Sequence, residues 1–280
     1  MTSDTDDPVR VCILFDGETT TEWSARAIER MVAETNAEVA LAVVDDRAGG
    51  SPTDLLRRVR EKPHWARIIG GRAFLDAILG PPAYRRDRPI DEIEGLENVP
   101  RIYCTPDQAG EFGVTLPDDV VERISEESDL VFRRGFGIIK GDVLTATTYG
   151  VLSYHHDDPT EYRGGPPGFW EFMHGRETAG LMLQQLTEDL DGGRIVVYDE
   201  IDASDAKTWR EVHRQLCTRS IGFLPIAVER LQDDSFEPEP IDPLGPIYTA
   251  PDWREYVRYQ YKNNVGRATS IASRVLDTTR

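Results

Sequence analysis

The 280-residue chain has no apolar run of membrane-spanning length, few cysteines and a shortage of positive charge, and each absence excludes something. A span needs about 20 consecutive apolar residues, and charged residues interrupt every apolar run well before that. Residues 1–8 are polar and acidic, without the basic and apolar regions of a signal peptide. The expectation is a cytoplasmic protein with no membrane partner. Cys12, Cys104 and Cys217 are odd in number and share no Cys-x-x-Cys spacing, which argues against a disulfide framework and a zinc site. They read as core fillers in a reducing compartment. Lys and Arg total 32 against 50 Asp and Glu, a net charge of -18. Such a surface repels phosphate backbones, so no nucleic-acid partner is expected. It is also the acidic composition of a halophilic protein, because high salt screens the self-repulsion.

What the chain does contain is an alternation of strand and helix signals. Residues 9–15 form an apolar, β-branched run that ends at a polar loop, 16–21; a helical period follows over 23–35, and a second strand over 39–44. A further helix is expected near 53–61, with short strands at 101–104 and 130–132. Residues 81–100, rich in Pro, Arg and Asp, read as a surface excursion rather than a sheet element. A helix is expected at 168–175, strands at 178–185 and 194–198, and one long helix over 208–231 capped by Ser204 or Asp205. Strand, helix and strand at these lengths predict an α/β fold, doubly wound, with a mostly parallel sheet. The chain divides into a catalytic body, 1–235, and an extension, 236–280, made of a Pro-rich linker and a C-terminal helix. Trp253, Tyr256, Val257, Tyr259 and Tyr261 on that helix predict docking onto the body or, as a homodimer contact, onto a second subunit.

The chemistry concentrates in Ser153-Tyr154-His155-His156-Asp157-Asp158-Pro159-Thr160-Glu161-Tyr162-Arg163-Gly164-Gly165-Pro166-Pro167 and, after a further stretch, Leu190-Asp191-Gly192-Gly193. A histidine moves protons near neutral pH and a carboxylate can hold its useful tautomer, which suits acyl transfer. His155 beside His156, Asp157 and Asp158 also suggests metal ligation, but adjacent residues on one short loop point in different directions, so no metal is expected. The loop itself reads as solvated, with His156 at its rim or bonded to a backbone carbonyl. Asp16 and Glu18 would repel a phosphate at the first loop, leaving Arg133, Arg134 and Arg163 as anion partners, Arg163 more in a structural role. Phe169 and Trp170 read as core.

These segments resemble the formyltransferase family, whose pattern is Asn-x-His, a short turn, Tyr-Arg-Gly with a Pro three residues on, and a downstream Leu-Asp-x-Gly-x-Ile. His155, Tyr162, Arg163, Gly164 and Pro167 fall in register, as do Leu190, Asp191, Gly193 and Ile195. Residues 129–139 are similar to the strand and folate-contacting loop that precede the signature. The resemblance implies a Rossmann-like fold and transfer of a formyl group from 10-formyltetrahydrofolate, as co-substrate, to a small-molecule amine such as an amino sugar. It makes His155, Asp191 and Ser153 the catalytic set. Gly135, Phe136, Gly137, Ile138, Ile139, Glu188 and Asp189 become cofactor-binding residues, and Arg163 and Gly164 substrate-binding ones. Ser153 departs from the pattern, standing where the family carries an Asn whose amide stabilises the oxyanion. The same residues serve formyltetrahydrofolate hydrolysis, and loss of that amide would also suit a folate-binding or interaction protein of this fold. Transfer to aminoacyl-tRNA fits less well, because those members carry an additional C-terminal barrel.

Overall fold

A computed structural model describes residues 7–47, 59–110, 113–188 and 192–278. The chain begins with β1 (Val9–Phe15), short β2 (Thr19–Thr21), α1 (Glu22–Glu34) and β3 (Ala37–Asp45). Helix α2 (Pro63–Leu79), β4 (Asp87–Pro89), β5 (Arg101–Cys104), β6 (Asp107–Ala109) and β7 (Gly113–Thr115) follow. After α3 (Asp118–Glu127) come β8 (Leu130–Arg133), β9 (Ile138–Ile139) and β10 (Val151–His155). The rest is α4 (Phe169–His174), β11 (Thr178–Gln185), β12 (Arg194–Asp202), α5 (Trp209–Ser220), α6 (Phe223–Leu231), β13 (Glu239–Pro240) and α7 (Trp253–Thr278).

Among the described residues the main sheet has eight strands in the order β13-β12-β11-β10-β8-β1-β3-β5. From β5 to β10 all pairings are parallel, while β11, β12 and β13 continue the sheet antiparallel. The buried stretch Val11–Phe15 of β1 explains the parallel half: Ile13 and Phe15 pack with Ala25, Ile28 and Met31 of α1 on one face, while Cys12 and Leu14 pack with Val120 and Ile124 of α3 on the other. A strand covered on both sides has to read as a continuous apolar run. Chain order reverses beside β1, with β3 and β5 to one side and β8 and β10 to the other. In open α/β sheets such a switch leaves a crevice beyond the carboxyl ends of the strands.

Several expectations need correction. Residues 81–100 do not lie loosely on the surface: β4 pairs with β2, and Ile90, Ile93 and Leu96 are fully buried. Three spaced apolar residues suffice to anchor a segment that has no regular period. The helix expected near 53–61 falls partly outside the described residues, 59–61 being helical, and the longer helix follows at α2. Its start was legible in Pro63, whose missing N–H costs nothing in a first turn. The single helix over 208–231 is two, α5 and α6, separated at Ile221 and Gly222. Its cap is Thr208, which accepts from Glu211 N at 3.3 Å while Glu211 accepts from Thr208 N at 3.1 Å, a reciprocal box rather than a cap by Ser204 or Asp205.

The linker and last helix pack on the body. β13 pairs with β12, and the Arg163 side chain donates to Gly245 O at 2.6 Å. Tyr259 of α7 is 4 % exposed, its ring 5.4 Å from Phe169 and 6.1 Å from Trp209, whereas Trp253, Val257 and Tyr261 face outward. Phe169 and Trp170 are core residues, and all three cysteines are buried and unpaired. No helix among the described residues is long and apolar enough to cross a membrane.

Candidate active site

The two-residue period of β10 decides what its side chains can do. Ser153 and His155 face one side, and Tyr154 and, past the strand end, His156 face the other. On the first side lies a cavity of about 220 Å³ lined by Arg133, Ile138, Ile139, Lys140, Ser153, Tyr154, His155, Gln184, Leu186, Thr187, Glu188 and Gly193. It opens at the carboxyl ends of β8 and β10, where the parallel half of the sheet meets antiparallel β11.

His155 is the last residue of β10, with its side chain 16 % exposed. Its Nε2 lies 3.6 Å from Asp157 Oδ2, within ion-pair range though beyond a hydrogen bond. Asp157 is not on a solvated loop, as the sequence suggested, but 2 % exposed. Its Oδ1 accepts the Gly168 amide at 3.2 Å, a contact made available by the left-handed Gly168 (φ 65°) that opens α4. Behind Asp157 stands Glu171 of α4, 1 % exposed. Burial pushes the Glu171 carboxyl up to about 7; the neighbouring charges of Asp158 and Glu161 push the same way, and the contact with Asp157 pulls against them.

His156 occupies the opposite environment. Its Nε2 lies 2.6 Å from Ser220 Oγ, its ring stacks on Tyr154 at 5.9 Å and meets Trp23 edge-on at 5.4 Å. Burial holds its pKa well below the usual histidine value, with the charges of His213 and Arg134 adding to the effect. It is therefore neither at a rim nor bonded to a backbone carbonyl.

Ser153 is 3 % exposed and accepts from Arg133 Nη1 at 2.8 Å. Of the residues expected at the cofactor, Ile138, Ile139 and Glu188 line the cavity, and Glu188 Oε1 also accepts the Gly141 amide at 2.8 Å. Gly135, Phe136 and Gly137 do not. A Cβ on Gly135 would run into the backbone of Phe15 and Asp16, and the buried Phe136 donates its amide to Asp16 Oδ1 at 2.6 Å. Asp16 thus holds the β8 loop, and Glu18 holds Arg101 at 3.3 Å and the Tyr103 hydroxyl at 2.5 Å. Arg163 and Gly164 lie at the docked linker, and Arg134 lies half-buried over the Trp23 ring at 4.6 Å, so neither segment lines the cavity. Asp191 and Asp189 fall outside the described residues.

Sequence reasoning passed over Lys140, Gln184, Leu186 and Thr187 as wall residues. Gln184 had a signal, since alternation along 178–185 puts it on the face opposite the apolar Leu181 and Leu183. Among the described residues no group of three or more His, Cys, Asp or Glu side chains is placed to hold a metal ion.

Residues 114–228 match the formyl transferase family. The chain is 28% identical over 122 residues to the methionyl-tRNA formyltransferase of Bacillus thuringiensis (strain Al Hakam), a match covering 43% of this chain and 39% of that protein. It therefore spans about two fifths of the length of the curated relatives it matches. Glycinamide ribonucleotide transformylase 1 from Symbiobacterium toebii superposes with a TM-score of 0.52 at 18% identity, covering 80% of this chain and 87% of that one. An N-formyltransferase from Helicobacter canadensis, solved with folinic acid and dTDP-3-aminofucose, does so with a TM-score of 0.52 at 8% identity, covering 86% and 70%. This chain shares the formyltransferase-type, Rossmann-like fold of these two structures.

Proposed function

We propose that this chain, whose residues 114–228 match the formyl transferase family, moves a formyl group from 10-formyltetrahydrofolate to the amine of a small molecule, an amino sugar being the acceptor class we favour. The observation that carries the reading is His155 at the end of β10, facing a cavity whose walls are the Ile138 to Lys140 segment and the stretch from Gln184 to Glu188. Ile138, Ile139 and Leu186 supply apolar surface for a flat heteroaromatic ring, and Glu188 a carboxylate for its donors, so the residues present suit a folate head group. The folate and the amino-sugar nucleotide bound by the Helicobacter canadensis protein support both halves of the proposal.

In the reaction the amine nitrogen attacks the formyl carbon and a C–N bond forms, leaving negative charge on the formyl oxygen. Breaking the bond from that carbon to the folate nitrogen returns the charge, and the proton lost by the amine ends on the folate nitrogen. The products are the formamide and tetrahydrofolate. His155 is the group placed to carry that proton, and hydrogen bonding to the oxygen lowers the barrier. The family resemblance gives Asp191 the role of orienting His155, and Asp157 offers a second carboxylate at 3.6 Å.

Tetrahydrofolate release from 10-formyltetrahydrofolate, measured with a panel of amino sugars, tests the proposal. Acceptor-dependent release that disappears in His155→Ala is the expected result. Equal traces for the two proteins would overturn it, and formate released without any acceptor would make the protein a hydrolase instead.

A further inference from the structure

The chain's excess of negative charge is reversed at one place in the fold. A cavity of about 420 Å³ lies between the start of α1, the helical turn at Ala83–Arg85 and α5. Its walls include Trp23 and Arg26, then Tyr84 and Arg86, then Arg214 and Thr218. It shares no lining residue with the cavity that His155 faces. The Trp23 ring lies 5.2 Å from Tyr154 and 5.4 Å from His156, so this cavity backs onto the other face of β10.

The three segments are held to one another without a ligand. Glu22 N donates to Arg86 O at 2.9 Å, which ties α1 to the turn, and the Tyr84 hydroxyl lies 3.1 Å from His213 Nδ1 of α5. Around this fixed frame three guanidiniums meet one carboxylate. Arg26 Nε donates to Glu22 Oε1 at 2.8 Å, while Arg86 and Arg214 form no ion pair among the described residues. A fourth, the half-buried Arg134, lies over the Trp23 ring at 4.6 Å, and its Nε has no hydrogen-bond partner among the described residues. In a chain of net charge -18, uncompensated arginines gathered around one concavity make a local field that draws an anion.

We propose that this cavity binds a ligand carrying a nucleoside diphosphate. A guanidinium fork matches phosphate oxygens, and three forks on three separate segments suit oxygens spread over two phosphates better than the pair on a single carboxylate. The Thr218 hydroxyl adds a neutral donor. Trp23, Tyr84, Pro82 and Ile221 supply an apolar wall for a flat base. The site goes beyond the formyl-transfer reading and stands whether or not that reaction is the right one.

Calorimetric titration of the full chain with adenosine diphosphate, uridine diphosphate, pyrophosphate and uridine tests the proposal. The expected result is that at least one nucleoside diphosphate binds, pyrophosphate binds more weakly and uridine most weakly. Arg86→Gln and Arg214→Gln each weaken the diphosphate by about tenfold, and Arg214→Lys, which keeps the charge and loses the fork, weakens it less. Added salt weakens binding to the unaltered protein, because the arginines at the rim are exposed. Thermal melts identify any variant that has merely unfolded. Neither diphosphate binding to the unaltered protein, equal affinity for pyrophosphate and the diphosphates, or binding that both Arg→Gln variants leave unchanged would overturn the proposal.

Discussion

His155 and His156 are neighbours in sequence and share nothing else. One faces a 220 Å³ cavity beside a carboxylate 3.6 Å away; the other is sealed between Tyr154, Trp23 and Ser220. The same imidazole borders a cavity in one place, where the proposed reaction needs a proton carrier, and is a polar piece of the core in the other. The pleat of β10 makes the difference, since successive residues leave opposite faces of a strand. The environment of each imidazole is thus assigned by the face of the sheet before it is assigned by residue type.

The largest expected effect tests that assignment directly. His155→Ala lowers the turnover number by about 10²–10⁴-fold and leaves the melting temperature close to wild type, as measured by steady-state kinetics beside a thermal melt. A large loss of stability would mean that this face too is structural.

His156→Ala gives the opposite pattern. Removing a buried ring that hydrogen-bonds Ser220 costs roughly 2–4 kcal/mol by denaturant titration, with turnover per folded molecule retained. The same histidine shapes the acid limb of the stability curve. It stays neutral in the fold, whereas the unfolded chain binds a proton below about pH 6.5, so stability falls as pH drops through that value. His156→Asn flattens this limb. It does not abolish it, because His213, held down to about 3 by burial, acts with the same sign.

Glu171, behind Asp157, contributes with the opposite slope. Its folded pKa is about 7, above its ordinary value of 4.5, so the folded chain binds the extra proton between those values. Stability is therefore lost as pH rises through that window. Glu171→Gln removes the loss and gains on the order of 1 kcal/mol at pH 8, read from melts between pH 4.5 and 8; a variant less stable than wild type at pH 8 would contradict this account. The smallest change is Ser220→Ala, which takes the hydroxyl from His156 and costs about 1 kcal/mol with no effect on turnover.

Much of the molecule could be read before folding. The apolar runs of β1 and β3 and the helical period between them are local signals, and they were sufficient for the start of the parallel half of the sheet. Where the reading failed, distance along the chain was the cause. Ile90, Ile93 and Leu96 have no period of their own, and only contact with α1 and β2 makes 81–100 part of the body. Asp157 looked solvated because its neighbours Asp158 and Glu161 are charged, yet the Gly168 amide and the α4 helix enclose it. Gly135, Phe136 and Gly137 matched a folate loop by position, but packing against Asp16 turns the first two away from the cavity.

The sequence by itself determined the class of fold and, through motif spacing, singled out His155 and Ser153, whereas only the structure put them on a strand, with His155 at its end. Only the tertiary structure decided which groups surround that serine. Arg133 is 20 residues before it and Gln184 is 31 after, and strand pairing alone brings their side chains into one row. Local patterns encode which face a residue takes; register between distant strands decides what it meets there.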